Sequence, residues 1–288
     1  MKKLKHAGAA LLYIAIYFAI QTAVVSIYGS VAVAGKIYDM MLVRDIDFSE
    51  ITEILYKAVN ENAVILTVIT NILLVLTVFI IFKVRKKNFF REVGFMKPDP
   101  KFILPVMAIG ASLNVIISVV FSAIPFPESW WEAYYQATVS MDEMNALTVV
   151  AAVLIGPLTE EILFRGLVFT RVSRGFGVTV GILASALAFG VLHGTMIWGL
   201  YTFLFGLVLA FVFVRSRSIV FPILLHLSFN LAGVLLSDGM PTVFVVISFI
   251  VFFAAAADFL IVSGKNGVRR AEASDAPEKS EGEEKKDE

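Results

Sequence analysis

The chain contains no cysteine. Disulfides, thiolate nucleophiles and Cys-based metal sites are therefore excluded. Histidine is nearly as scarce, with only His6, His193 and His226. Charged residues fill 17% of the 288 positions, where a soluble domain carries about 25%. Lys and Arg balance Asp and Glu, 24 against 24, so no global basic field points to nucleic acid as a partner. Apolar residues are abundant, at 58% of the chain with a mean hydropathy of +0.84. These figures exclude a cytosolic globule, a secreted disulfide scaffold and a disordered chain. They predict an integral, multi-pass membrane protein whose principal neighbour is the lipid bilayer.

A helix needs roughly 20 mostly apolar residues to cross the hydrocarbon core. Uncharged runs occur at 7–35, 62–82, 102–127, 175–214 and 218–237. Two further runs carry acids: 144–170 with Glu160, Glu161 and Arg165, and 239–264 with Asp258. The run 175–214 is long enough for two crossings, with Gly194-Thr195 marking the turn. The predicted fold class is thus all-α, a polytopic membrane helical bundle of about eight transmembrane helices.

Basic residues test that count, because cytoplasmic loops are enriched in them. Lys2, Lys3 and Lys5 precede the first span; Lys83, Arg85, Lys86, Lys87, Arg91, Lys97 and Lys101 lie between the second and third. Arg171 and Arg174, then Arg215 and Arg217, then Lys265, Arg269 and Arg270 mark later loops. Loops 36–61 and 128–143 are acidic. Eight spans with both termini cytoplasmic satisfy this alternation. Lys2–Lys5 and Ala32-Val33-Ala34 imitate a signal peptide, but the apolar core exceeds the usual 7–15 residues, so an uncleaved anchor is expected. A short amphipathic helix is expected within 37–60. Three regions follow: N-terminal spans and loops over 1–144, a transmembrane core that carries the acid-bearing run over 145–264, and a tail over 265–288. From Ala271 onward that tail has eight acids and three lysines, a composition that predicts disorder.

A charged side chain at mid-span costs roughly 2.5–3.5 kcal/mol, and intramembrane ionisable groups are functional candidates by default. Residues four apart share a helix face, so Glu161 can pair with Arg165. Glu160 is rotated about 100° away and finds no partner on its own helix. Pro157 lies one turn earlier, where it can free backbone groups. His226 and Asn230 share another face. A helix starting near Ile182 puts His193 about 16 Å from its end, comparable with Glu160 at about 16 Å and His226 at about 13 Å from their basic ends.

A carboxylate among apolar groups is an effective general base, and a neighbouring imidazole can hold a water or pass on its proton. A second imidazole and an amide can donate to a developing oxyanion. The same set, Glu160, His193 and His226, is also a known kind of zinc ligand set. The cofactor is therefore none or one divalent metal, and the residues leave the choice open. The soluble H-E-x-x-H zinc signature is absent. Ser185 and Ser228 lack a His at helical spacing with a carboxylate behind it.

Glu160-Glu161-Ile162-Leu163-Phe164-Arg165 resembles the E-E-x-x-x-R motif of the CPBP family, which comprises CAAX proteases and bacteriocin-processing enzymes and is also called Abi. Phe189-Gly190-Val191-Leu192-His193 is similar to its F-x-x-x-H motif. His226-Leu227-Ser228-Phe229-Asn230 is similar to its H-x-x-x-N motif. The resemblance covers about residues 145–235. It implies an intramembrane endopeptidase acting on a membrane-anchored protein or peptide. In eukaryotic members it implies removal of the last three residues of prenylated CAAX proteins. Bacterial relatives are implicated in peptide maturation, self-immunity and regulation of membrane proteins. Carried over, Glu160 is the water-activating base, supported by Glu161 through Arg165. His193 is a water or metal partner, and His226 and Asn230 stabilise the oxyanion. Phe189 belongs to the supporting set.

Two other classes compete. A transporter uses intramembrane polar groups, and Asn71, Asn114 and Asp258 add to the supply. However, the first half shows no counterpart of the second-half motifs, and inverted repeats are a transporter mark. A catalytically silent scaffold or immunity factor has no need of Glu160, His193 and His226. The expected setting is a bacterial plasma membrane, with access to the site from the cytoplasm.

Overall fold

The computed structural model describes residues 2–43, 48–138, 145–236 and 241–275, and side chains over 3–42, 48–138, 145–236 and 241–264. Among them there are helices and turns and no strand. Helix α1 (Lys2–Val43) is followed by α2 (Phe48–Glu61), α3 (Ala63–Val84) and the short α4 (Phe89–Val93). A 3-10 turn at Pro100–Phe102 leads into α5 (Ile103–Ala123) and then α6 (Glu128–Thr138). Next come α7 (Ala146–Phe176), α8 (Val178–Val191), α9 (Met196–Ser216), α10 (Val220–Leu235) and α11 (Thr242–Asp275).

Six of these helices (α1, α3, α5, α7, α9 and α11) are long and apolar enough to cross a membrane. The expected fifth and seventh spans are the shorter apolar helices α8 and α10, of 14 and 16 residues. Both fall below the roughly 20 residues of a full crossing. The expected amphipathic segment is α2, which buries none of its residues. The last helix runs past 264 to Asp275, and 276–288 lie outside the described residues.

Helix α5 packs against both α10 and α11, α8 packs against α9, and α1 packs along the end of α7. The α5–α10 approach depends on Gly110. A β-carbon there collides with the Leu225 carbonyl and the Ser228 hydroxyl. The core between these helices is aromatic and aliphatic, with Phe82, Phe189, Phe205, Leu209, Phe221 and Leu225 almost fully buried. Large apolar side chains such as Leu104, Leu187 and Phe253 stand on the outer faces. Lipid rather than water suits such a surface, because soluble monomers rarely expose large contiguous apolar patches.

Helices α7 and α8 form an antiparallel hairpin whose break is Gly177, at φ 93°. The expected loop over Gly175–Gly181 is thus a single glycine, and α8 starts at Val178 rather than near Ile182. Glu160 precedes Gly177 by about as many residues as His193 follows it. The hairpin therefore brings them level, which is the outcome expected from a later helix start, reached by a different route. His193 itself lies in the turn beyond α8, next to Gly194 at φ 81°.

On the side of the basic loops, α4 is tied to the bundle. Asn88 caps it by accepting from the Arg91 amide at 3.0 Å. Lys87, Arg171 and Arg174 converge on Glu92 at 3.4, 3.4 and 3.7 Å. Burial alone raises the Glu92 carboxyl, but these three cations outweigh it and hold it below its ordinary value. The start of α10 is pinned to the same loop. Ser218 Oγ donates to the Met96 carbonyl at 2.8 Å, and the Ile219 amide donates to the Gly94 carbonyl at 2.9 Å.

Candidate active site

The site is built on an irregular stretch of α7. Two π-type segments, Ala151–Ile155 and Ile162–Phe169, flank an α-helical turn at Gly156–Glu161. Such bulges concentrate at functional positions. The first has a cause in the sequence. The Gly156 amide reaches back five residues to the Ala151 carbonyl. The next bond of that series requires an N–H from residue 157, and Pro157 has none. The Ala152 carbonyl is instead satisfied by Asn230 Nδ2 at 2.7 Å, across from α10. One amide proton of Asn230 therefore holds the bulge, a task its spacing in the sequence did not reveal.

Glu161 and Arg165 pair as expected, with Arg165 Nη1 donating to Glu161 Oε1 at 2.9 Å. Both are fully buried. Arg165 Nη2 also donates to the Gly206 carbonyl at 3.1 Å, and its guanidinium lies 4.7 Å from the centre of the Phe189 ring. Stacking on an aromatic face suits Arg, whose planar cation is weakly hydrated. Glu161 has a second partner: it accepts from His226 Nδ1 at 2.9 Å. With Nδ1–H committed to a carboxylate, Nε2 becomes the working nitrogen of His226. That nitrogen faces Glu160 Oε2 at 3.6 Å. His226 thus sits between the two adjacent glutamates, and Glu160 has the cross-helix partner it lacks on α7. The side chain of Glu160 is 33% exposed whereas that of Glu161 is 0% exposed, so only Glu160 is open to an incoming molecule.

His193 caps the last turn of α8, its Nδ1 lying 2.7 Å from the Phe189 carbonyl. A carbonyl only accepts, so Nδ1 carries the proton and Nε2 presents a lone pair. Phe189 links the whole site. Its ring packs edge-on against His193 at 4.7 Å, His226 at 5.8 Å and Phe164 at 5.0 Å, while carrying Arg165 on its face.

Helix α9 supplies residues that motif reading missed. Trp198 packs on His193 at 5.1 Å and Phe205 packs on His226 at 5.1 Å. Their spacing of seven residues, with Tyr201 between, is the face pattern that would have flagged them. Ser185 and Ser228 spend their hydroxyls on the Ile182 and Leu225 carbonyls.

The metal reading needs Glu160, His193 and His226 as a common ligand set. Among the described residues, no three His, Asp or Glu side chains come together in a way that could hold a metal ion. His226 has Nδ1 on Glu161 and Nε2 toward Glu160, an arrangement that a metal-ligating imidazole also has, so the misfit to a three-ligand centre rests on the spacing of the three side chains alone.

Comparisons with known proteins match the segment that carries these residues. Residues 142–232 match the family described as Type II CAAX prenyl endopeptidase Rce1-like. A Bacillus subtilis (strain 168) protein named "Putative membrane peptidase YdiL" is 28% identical over 95 residues, which is 33% of this chain and 39% of that protein. The chain thus spans about two fifths of the length of that relative. No solved structure matches significantly. The motif-bearing segment of this integral membrane protein is thus similar to the CAAX prenyl endopeptidase family.

Proposed function

We propose that the protein is an intramembrane endopeptidase that cleaves a membrane-associated protein or peptide, of which a prenylated CAAX-type chain is the first to test. The observation that carries this reading is the clamp on His226, with Glu161 fixing Nδ1 and the half-open Glu160 facing Nε2. Buried ion pairs alone explain Glu161 and Arg165. They do not explain why a second carboxylate stays accessible beside two oriented imidazoles.

A water enters between the Glu160 carboxylate and the His193 Nε2 lone pair. Glu160 takes its proton as general base while the oxygen attacks the carbonyl carbon. The oxyanion is met by the Nε2–H of a doubly protonated His226, whose Nδ1–H stays on Glu161, and by the Asn230 amide proton not engaged by Ala152. Glu160 then passes its proton to the departing amine as the C–N bond breaks. Placing the basic loops in the cytoplasm puts both termini there, in a bacterial plasma membrane.

The test uses the purified full chain in liposomes, with a prenylated CAAX peptide and with membrane-anchored propeptides, read by mass spectrometry. Products are expected from the wild type, and Glu160→Gln should lower turnover by about 10²–10⁴-fold with an unchanged melting midpoint. Undiminished turnover in that variant overturns the reading. Stoichiometric zinc that is lost together with activity on chelation and restored with it on zinc add-back overturns the metal-free mechanism and leaves the peptidase reading standing.

A further inference from the structure

We propose that Tyr201 is a catalytic residue of this site, its phenol hydroxyl donating a hydrogen bond to the scissile carbonyl oxygen as that oxygen becomes an oxyanion. The inference rests on the peptidase reading above and adds a donor from a helix that carries none of the three motifs.

The placement follows from α9. Trp198 packs on His193 and Phe205 packs on His226. Seven residues are close to two full turns, so these two rings mark one face of the helix. Tyr201 lies between them in height and about 60° round the helix axis. Its position along the helix is therefore between the two residues that touch the imidazoles. Two further observations agree. Tyr201 is close enough to Glu160 for the two to interact electrostatically, and its hydroxyl is hydrogen-bonded with the Tyr134 side chain. The ring also packs edge-on with Phe121 at 6.0 Å and Tyr134 at 6.5 Å.

The chemistry fits a donor. A phenol is neutral over the working pH range and both donates and accepts, with a rotatable proton. When Tyr134 donates to Tyr201, the Tyr201 proton is free to point into the site, and a chain of two such bonds strengthens each. Donors held in place before charge develops are the largest single contribution in many acyl-transfer sites. The two phenols come from different helices, α6 and α9, so the donor is positioned by the bundle rather than by one flexible segment.

The test compares wild type, Y201F and Y134F in liposomes, using the peptide that the wild type cleaves and a phosphinate analogue of it that mimics the tetrahedral intermediate. Y201F keeps every ring contact and loses one hydroxyl. Its kcat should fall by about 10²–10³-fold while KM stays within about twofold. Affinity for the phosphinate should fall in parallel with kcat. Y134F, which removes only the supporting phenol, should show the same pattern more weakly. A residue that merely packs would change stability or KM and leave the ratio of analogue to substrate affinity untouched. Y201F with wild-type kcat and wild-type phosphinate affinity removes Tyr201 from the mechanism and leaves the peptidase reading intact. A wild type without Glu160-dependent cleavage removes both.

Discussion

His226 Nδ1 is bound to Glu161 Oε1 at 2.9 Å, across a sequence separation of 65 residues. The same oxygen accepts from Arg165 Nη1 at 2.9 Å. One fully buried carboxylate thus orients a histidine on α10 and neutralises an arginine on its own helix. The first residue of the E-E pair is left to face outward. The two glutamates differ in exposure, and under the proposed function that difference separates stability from chemistry in the variants below.

Glu161→Gln and Arg165→Ala should each destabilise the protein by about 3–5 kcal/mol, the usual cost of leaving one member of a buried pair uncompensated. Arg165→Lys should not rescue, because an ammonium cannot serve Glu161, the Gly206 carbonyl and the Phe189 face together. Thermal midpoints and folded yield in detergent check this. A stable, fully active Glu161→Gln variant contradicts the assignment.

Asn230 and Pro157 should be energetically coupled although their side chains serve different helices. Asn230→Ala leaves the Ala152 carbonyl unpaired, at a cost of about 1–3 kcal/mol. Pro157→Ala restores an N–H at the position whose absence freed that carbonyl. The double variant should therefore lose less stability than the sum of the singles, by roughly 1 kcal/mol. Additive losses in a double-mutant cycle refute the explanation of the bulge.

The Glu92 cluster sets an acid dependence outside the membrane-spanning helices. Its carboxyl is held below the ordinary value of 4.5 by Lys87, Arg171 and Arg174 against the opposing effect of burial. A depressed folded-state pKa contributes stability above the unfolded value, which is lost as pH falls through the folded one. Glu92→Gln should thus melt below the wild type at pH 7, by about 1 kcal/mol or less because the cluster is partly solvated. The gap should close as pH drops below about 4.5. A gap that does not narrow at all as the pH is lowered means that Glu92 acts through packing rather than charge.

Much of the site was legible along the chain. The Glu161–Arg165 pair is a local i, i+4 relation, and the insertion cost of an unpaired Glu160 marked it as a functional candidate before any fold was known. The break near Gly177 and the turn at Gly194 were also visible, because glycine at positive φ leaves a local trace. The second bond of Glu161, the diversion of Asn230 to Ala152 and the aromatic face of α9 were not visible. Each joins residues from different helices, and helical periodicity says which residues share a face but not which face meets which.

Composition and charge alternation alone determined that this is a helical membrane protein, because the cost of exposed backbone and charge in lipid leaves few other solutions. Local spacing determined which acid is self-neutralised and which is left over. Only the tertiary packing decided that the leftover acid meets a histidine already oriented by its neighbour. That contact depends on helix rotation and depth, which are set by how side chains interlock between helices.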